Sequence, residues 1–308
     1  MKVTVTGATG TIGRALVAEL RARGDEVTAL SRDAAAARER LGPDVDAHAW
    51  ADPKAGPAPA EALAGRDAVV HLLGEEISQR WSDDARREIR DSRVLSTRNL
   101  VAALRGLDPA ERPSVLVSQS ASGFYGPRGD ERVDESQPAA DDFLAEVARE
   151  WEERAREAEE LGLRVVRTRT GIYLAAGAGA LQRMLPFFKL GLGGPVAGGR
   201  HYVPWIHIDD VVGALVFCVD TEAASGPVNL TAPEPVTNKE LSRTLGRVLG
   251  RPAFAPIPAL ALKLLYGEMA SIVITGVRAV PARLQELGYR FRRPELEDAL
   301  REATNRPA

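Results

Sequence analysis

The chain has 308 residues, enough for one large α/β unit or for a main domain with a smaller annex. Its formal net charge is −3, with both signs interspersed, which excludes the basic field that nucleic-acid binding requires. A single cysteine excludes an intrachain disulfide and any cysteine-based metal cluster, and no apolar run reaches the roughly 18 residues of a membrane span. That cysteine, Cys218, lies in the apolar run GALVFCVD and reads as a buried spectator thiol. The chain opens on MKVTVTGATG, a strand followed by a turn, with no room for a secretory leader, so the expected location is cytoplasmic.

Residues 2–6 form an apolar β-branched run, 12–23 a helical pattern and 26–30 a second strand. Residues 53–59 are rich in proline and glycine and read as a surface loop. A buried strand follows at 68–73 (AVVHLL), then a polar helix at 83–104 and a strand at 114–118. From 141 to 161 runs a charged helix whose inner stripe is Phe143, Val147, Trp151, Ala155 and Ala158, before a strand at 163–169. The texture then changes to a glycine-rich stretch at 177–199, broken by a helix-like piece at 181–190. One further αβ unit covers 209–220 and 227–230, and helical pieces punctuated by prolines occupy 238–301. Strands alternating with helices predict parallel strands joined by crossover helices.

The most specific local signal is TGATGTIG between the first strand and helix. Gly7 permits a sharp turn at the strand end, Gly10 lets backbone approach a pyrophosphate, and Gly13 permits close helix–strand packing. Phosphates would sit on the free amides at the helix start, around Ile12, where the dipole favours negative charge. Thr9 and Thr11 add hydroxyl donors. The alternative is a tight βα turn without a ligand, but strand, helix and second strand at this spacing argue for a dinucleotide site. The second strand ends on TALSRD, so Ser31 and Arg32 stand where an NAD site places a carboxylate. Arg32 suits a 2′-phosphate, which favours NADP(H) over NAD(H), and Asp33 keeps NAD open. The expected fold is α/β, a Rossmann-type doubly wound parallel sheet with a smaller, mainly helical C-terminal substrate-side domain. Residues 1–172 with about 209–232 form the first part, and 173–208 with 233–308 the second.

TGATGTIG, the strand ending HLLG, SASGFYG and PWIHIDD together resemble an extended short-chain dehydrogenase/reductase. More narrowly, RTGIYL, GLGGPVAGGRHYVPWIHIDD, VNLTAPEPVTNKEL and GRPAFAPIPALALKLLYGEMA resemble the atypical epimerase-family proteins that carry a C-terminal domain of unknown function. Some of those proteins are described as sugar-nucleotide epimerases or cell-division inhibitors. The resemblance spans nearly the whole chain. It implies cofactor contacts from Leu72, Leu73, Gly74, Glu75 and Ser118, and dimerisation through a four-helix contact.

The broad superfamily catalyses with a tyrosine and, four residues on, a lysine that lowers the phenol pKa. Here Val147 and Trp151 occupy those places. The helix holds neither tyrosine nor lysine, and none of the chain's five tyrosines has a lysine four residues on. Ser120, beside Ser122, and Tyr125 are the replacement candidates, each with a packing role as the alternative. Glu75 and Glu76 read as ribose or substrate contacts or a solvated pair, and Arg93 as a surface salt bridge or a nicotinamide-side contact. His207 and Asp209 lack a second histidine at ligand spacing, so no metal is expected; Asp209 reads as a helix cap and His207 as an internal hydrogen-bonding residue. Arg183, Lys189 and Arg200 suit an anionic substrate such as a nucleotide diphosphate, and Arg290, Arg292 and Arg293 read as a solvated face.

Two functions compete. One is an oxidoreductase or nucleoside-diphosphate-sugar epimerase acting on a small carbonyl or sugar-like substrate. The other is a non-catalytic NADP(H)-binding redox sensor or scaffold.

Overall fold

The computed structural model describes residues 1–305. Seven strands form the central sheet: β1 (Lys2–Thr6), β2 (Glu26–Ser31), β3 (Asp46–Ala49), β4 (Ala68–His71), β5 (Val115–Ala121), β6 (Arg164–Thr170) and β7 (Gly226–Leu230). They lie in the order β3-β2-β1-β4-β5-β6-β7, and every neighbouring pair is parallel. All four residues of β4 are buried, as expected of a strand covered on both faces. The strand order reverses between β1 and β4, which opens a crevice at their C-terminal ends, the usual place for a ligand in such sheets.

Helices cover both faces. On one, α1 (Thr11–Ala22) packs against α6 (Ile208–Asp220) through Leu16, Val17, Leu20, Val212 and Leu215. On the other, α3 (Asp83–Gly106) packs against α4 (Phe143–Arg156), with Leu100, Leu104 and Ala155 in one buried cluster with Leu116 and Val165 of the sheet. Two elements carried no expectation. Helix α2 (Ala34–Leu41) has almost no apolar stripe, and β3, DAHA, is an edge strand without β-branched residues.

A further core gathers α5 (Gly179–Lys189), α7 (Asn238–Val248) and α11 (Leu296–Asn305) around Leu181, Trp205, Leu241, Leu245 and Leu300. Between α7 and α11 lie α8 (Ala259–Tyr266), α9 (Ser271–Ile274) and α10 (Ala282–Glu286). The C-terminal region is tied to α6 through the fully buried Asp210. Its carboxylate accepts from the amides of Arg292 (2.6 Å) and Arg293 (2.8 Å) and from the Tyr289 hydroxyl (3.1 Å). The basic run 290–293, read from sequence as solvated, is therefore anchored through its backbone, while the Arg292 side chain pairs with Glu19 at 2.5 Å. Among the described residues no helix is long and apolar enough to cross a membrane.

Candidate functional site

The turn after β1 is shaped by glycine where shape matters. Gly7 adopts φ +63°, and a Cβ there would lie 2.9 Å from the carbonyl oxygen of Leu72, on the far lip of the crevice. A Cβ on Gly13 would lie 2.2 Å from the Gly7 carbonyl oxygen, so no other residue fits without moving the turn. Helix α1 begins at Thr11 after Gly10, with no side-chain hydrogen bond at its cap. Its first-turn amides are left to an external acceptor, the arrangement that receives a phosphate. Thr9 and Thr11 are half-buried beside them and Ile12 is buried underneath.

At the end of β2, Ser31 is half-buried and Arg32 is exposed, with no ion pair or hydrogen bond among the described residues. Asp33 is occupied: its carboxylate caps α2, accepting from the amides of Ala35 (2.9 Å) and Ala36 (3.0 Å). A carboxylate aimed at its own helix is not aimed at a ribose.

On the opposite lip, Leu72, Leu73, Gly74 and Glu75 follow β4, and α3 clamps them. The Ser92 hydroxyl accepts from the Glu75 amide at 3.0 Å, and the Arg93 guanidinium donates to the Glu75 carbonyl at 2.8 Å. Arg93 lies against Gly74, where a Cβ would come within 3.0 Å of the guanidinium. It also stacks over Trp151 of α4, 5.3 Å from the ring centre, and burial lowers its pKa to about 10. No salt bridge of Arg93 is formed within ion-pair distance among the described residues; its guanidinium donates to the Ile89 carbonyl (2.9 Å) as well as that of Glu75, and the Glu75 carboxylate partly offsets the effect of burial. Trp151 is buried and its indole N–H has no hydrogen-bond partner among the described residues. Val147 is buried one turn earlier. Below the crevice, His71 joins β1 to α3: its Nδ1 is 2.8 Å from the Thr6 hydroxyl and its Nε2 is 3.0 Å from that of Thr97.

Ser120 and Tyr125 fall into one buried polar network. Ser120 donates to the Glu152 carboxylate at 2.7 Å. Glu152 also holds Arg169, at 2.8 and 3.0 Å, with both side chains 4% exposed. Arg169 donates to the Tyr125 hydroxyl (2.9 Å), which donates to Asn229 (2.7 Å). Tyr125 is fully buried, and burial raises its pKa to about 12. Both hydroxyls, the proton-donor candidates read from sequence, thus meet protein partners inside the fold. Ser118 is buried in the middle of β5, its carbonyl accepting from Thr168 at 3.3 Å. Glu152 and Asn229 were not singled out from sequence. The signal for Glu152 is legible in hindsight: it is a carboxylate on the inner stripe of α4, between Ala148 and Ala155.

Elsewhere, Glu76 and Arg183 form an ion pair linking the loop after β4 to α5, so these two candidate substrate residues meet each other. Lys189 and Arg200 are exposed and have no ion pair among the described residues. His207, not Asp209, caps α6: its Nδ1 accepts from the Asp209 amide at 3.2 Å. Its Nε2 lies 2.9 Å from Glu302 of α11. Burial lowers the His207 pKa against the pull of Asp209 and Glu302.

Comparison with known proteins gives the same outline. The NAD dependent epimerase/dehydratase family matches residues 3–230, and a domain of unknown function, DUF1731, matches residues 257–303. The chain is 40% identical over 307 residues to epimerase family protein MT2273 of Mycobacterium tuberculosis, covering 99% of this chain and 98% of that protein. It is 40% identical over 309 residues to the chloroplastic SDR39U1 homologue of Arabidopsis thaliana, covering 98% and 86%. Among solved structures, human epimerase family protein SDR39U1 with NADPH is similar at 33% identity and TM-score 0.85, covering 98% of this chain and 99% of that one.

Proposed function

The chain belongs to the NAD dependent epimerase/dehydratase family, and from that premise we propose that it binds NADP(H) in the β1–β4 crevice. We further propose that it acts on a small carbonyl or sugar-like substrate without a tyrosine–lysine pair. The observation that carries the reading is the crevice lip. A glycine-shaped turn and an uncapped α1 suit a pyrophosphate, and an unpaired Arg32 suits a 2′-phosphate, while Asp33 is spent on capping. The NADPH in the structure of the similar human protein supports the choice of cofactor. On this reading Gly7, Thr9, Gly10, Thr11, Ile12 and Gly13 hold the diphosphate, and Ser31 with Arg32 holds the adenosine end. Leu72 to Glu75, Ser118 and Arg93 line the path toward the nicotinamide. Residues 1–172 with about 209–232 form the cofactor part, and 173–208 with 233–308 the substrate side.

A bound nicotinamide supplies or accepts the hydride. Polarisation of the substrate oxygen then falls to Arg93 at the lip, which spends two of its five N–H donors on the Ile89 and Glu75 carbonyls, since the single hydroxyl protons of Ser120 and Tyr125 are donated inward. Losing a general acid typically costs about 10²–10⁴ in rate, so turnover is slow.

The enclosure of Ser120 and Tyr125 favours a second reading, a non-catalytic NADP(H)-binding sensor or scaffold. Two measurements separate them. Titration with NADPH and NADH by thermal shift is expected to show preference for NADPH, and equal response overturns the cofactor assignment. Incubation with 4-deuterated NADPH and a carbonyl and sugar-nucleotide panel is expected to label at least one product. Persistent absence of label across the panel favours the sensor.

A further inference from the structure

Apart from Met1, every exposed large hydrophobic side chain among the described residues falls between residues 187 and 273. Phe187, Leu190, Leu192 and Phe254 are joined by Leu260, Leu264 and Leu265 of α8, and all of them are between 56% and 80% exposed. Scattered surface leucines need no explanation, but a gathering of this kind in one region does.

Backbone contacts make these residues neighbours. Segment 191–197 runs parallel to segment 252–257. A Cβ on Gly191 would lie 3.3 Å from the Pro252 Cγ, and one on Gly194 2.1 Å from the Ala255 carbonyl oxygen. Val196 bridges to Ile257, whose amide donates to Pro195 and whose carbonyl accepts from Ala197, each at 2.9 Å. Leu190 and Leu192, at the end of α5, thereby come beside the stretch that holds Phe254, and that stretch leads directly into α8.

Helix α8, ALALKLLY, is apolar except for Lys263, yet none of its residues is buried. A helix apolar on most sides belongs in an interior. One of this length is also far short of the roughly 12–15 residues at which an isolated helix becomes marginal in water, so it needs a surface to pack on. Within the chain it is tethered only at its ends. Ile257 is held before it, and beyond Gly267 the side chains of Met269 and Ala270 are buried while Glu268 pairs with Arg86 of α3. Leu260, Ala261, Leu264 and Leu265 are exposed and share one face at one- and four-residue spacing, whereas Leu262 is half-buried on another side and Lys263 lies off the stripe.

We propose that this face is covered by a second copy of the chain, α8 packing against α8 about a two-fold axis. Side chains of this size contribute on the order of 100 Å² each at such exposure, and together they exceed the apolar share of the roughly 800 Å² that each partner of a standard interface buries. A two-fold contact sets one patch against itself, and the stripe on α8 carries no charge, so no like charges meet across it. The outer faces of α3 and α4, where the family resemblance placed a four-helix contact, instead present Arg98, Arg105, Arg149 and Glu153 to solvent, and burying them would cost their hydration. A bilayer suits α8 less well, because helices that lie on membranes are rich in cations and α8 has one.

The test follows the full chain by analytical ultracentrifugation across a dilution series, as the wild type, Leu260→Glu/Leu264→Glu and a charge reversal on the other face, Arg98→Glu/Arg149→Glu. All are exposed positions, and thermal melts check that each variant is folded. The expected result is a reversible dimer whose dissociation constant rises at least about tenfold in the leucine variant and is unchanged in the arginine variant. A second readout does not depend on that variant. Cys218 is buried, so Ala261→Cys carries a single reactive thiol, and a bis-maleimide is expected to join two copies through it but not through Ala102→Cys on α3. A wild type that stays monomeric, a dimer indifferent to the leucine variant, or equal cross-linking at 102 and 261 overturns the proposal. A dimer lost in the arginine variant moves the contact to α3 and α4, and a monomer that cosediments with phosphatidylglycerol vesicles makes a bilayer the occupant; either result also overturns it.

Discussion

The guanidinium of Arg93 lies 5.3 Å from the ring centre of Trp151, a buried side chain on the inner stripe of α4. A cation from α3 thus reaches α4 and clamps the loop after β4 through the Glu75 carbonyl. Replacing Arg93 with alanine removes the stack and the clamp together. NADPH affinity is expected to fall about tenfold, the equivalent of a cation–π contact and one hydrogen bond. Quenching of tryptophan fluorescence on titration measures it, and an unchanged Kd removes Arg93 from the cofactor site.

Arg32 and Asp33 make separable predictions although they are neighbours. Arg32→Ala is expected to weaken NADPH at least about tenfold while leaving NADH and the melting temperature alone. Asp33→Ala removes the α2 cap and is expected to cost about 1 kcal/mol of stability with the cofactor preference intact. Loss of the NADPH preference in Asp33→Ala instead shows that the carboxylate faces the ribose.

Tyr125→Phe tests positioning against catalysis. The phenol donates to Asn229 and accepts from Arg169 inside the protein, so its removal leaves buried partners unsatisfied. A loss of about 1–3 kcal/mol in denaturant unfolding is expected, with NADPH affinity unchanged. A variant of wild-type stability that loses all hydride transfer places Tyr125 in the chemistry.

His71 sets an acid limit on stability. Its pKa falls from 6.5 to about 3 because burial disfavours the charged ring. The Thr97 hydroxyl donates to the Arg93 carbonyl, so it accepts from Nε2–H, and Nδ1 accepts from Thr6, which makes the ring neutral. Between pH 6.5 and about 3 the unfolded chain binds this proton and the folded chain does not. Stability is therefore full above pH 6.5 and falls with decreasing pH by about 1.4 kcal/mol per unit from this residue alone. Denaturant titrations from pH 7 to pH 4 measure the slope, which flattens in His71→Gln; an identical slope in that variant assigns the acid sensitivity to other groups.

Cys218 is a reporter of unfolding. It is fully buried, and burial raises its pKa to about 12. Thiol reagents are expected to leave the native protein unmodified and to label it stoichiometrically in denaturant. Rapid labelling of the native state contradicts the packing of α6.

Much of this was legible in the sequence because local chemistry dictated it. TGATGTIG needs its glycines for contacts within a few residues and across to Leu72, and the buried strands announce themselves by β-branched runs. That the helix at 141–161 holds neither tyrosine nor lysine is plain from residue identity alone. Partnerships across the sheet were not. Nothing local says that the Glu152 carboxylate meets Ser120 and Arg169, or that Arg93 leaves the surface for Trp151, because each contact joins elements brought together only by the closed fold. Helix α2 and β3 were silent because neither carries a periodic apolar stripe.

The reversal of strand order between β1 and β4 also bears on how such a protein can change. The proposed ligand crevice is framed by the first βα turn, the end of β2 and the loop after β4, and Trp151 of α4 is tied to that loop through Arg93. Substitutions at 147 and 151 can therefore accumulate while the nucleotide cradle keeps its shape. In this architecture, grip on a cofactor and the chemistry done with it are separately heritable: a lineage can lose or exchange one and transmit the other intact.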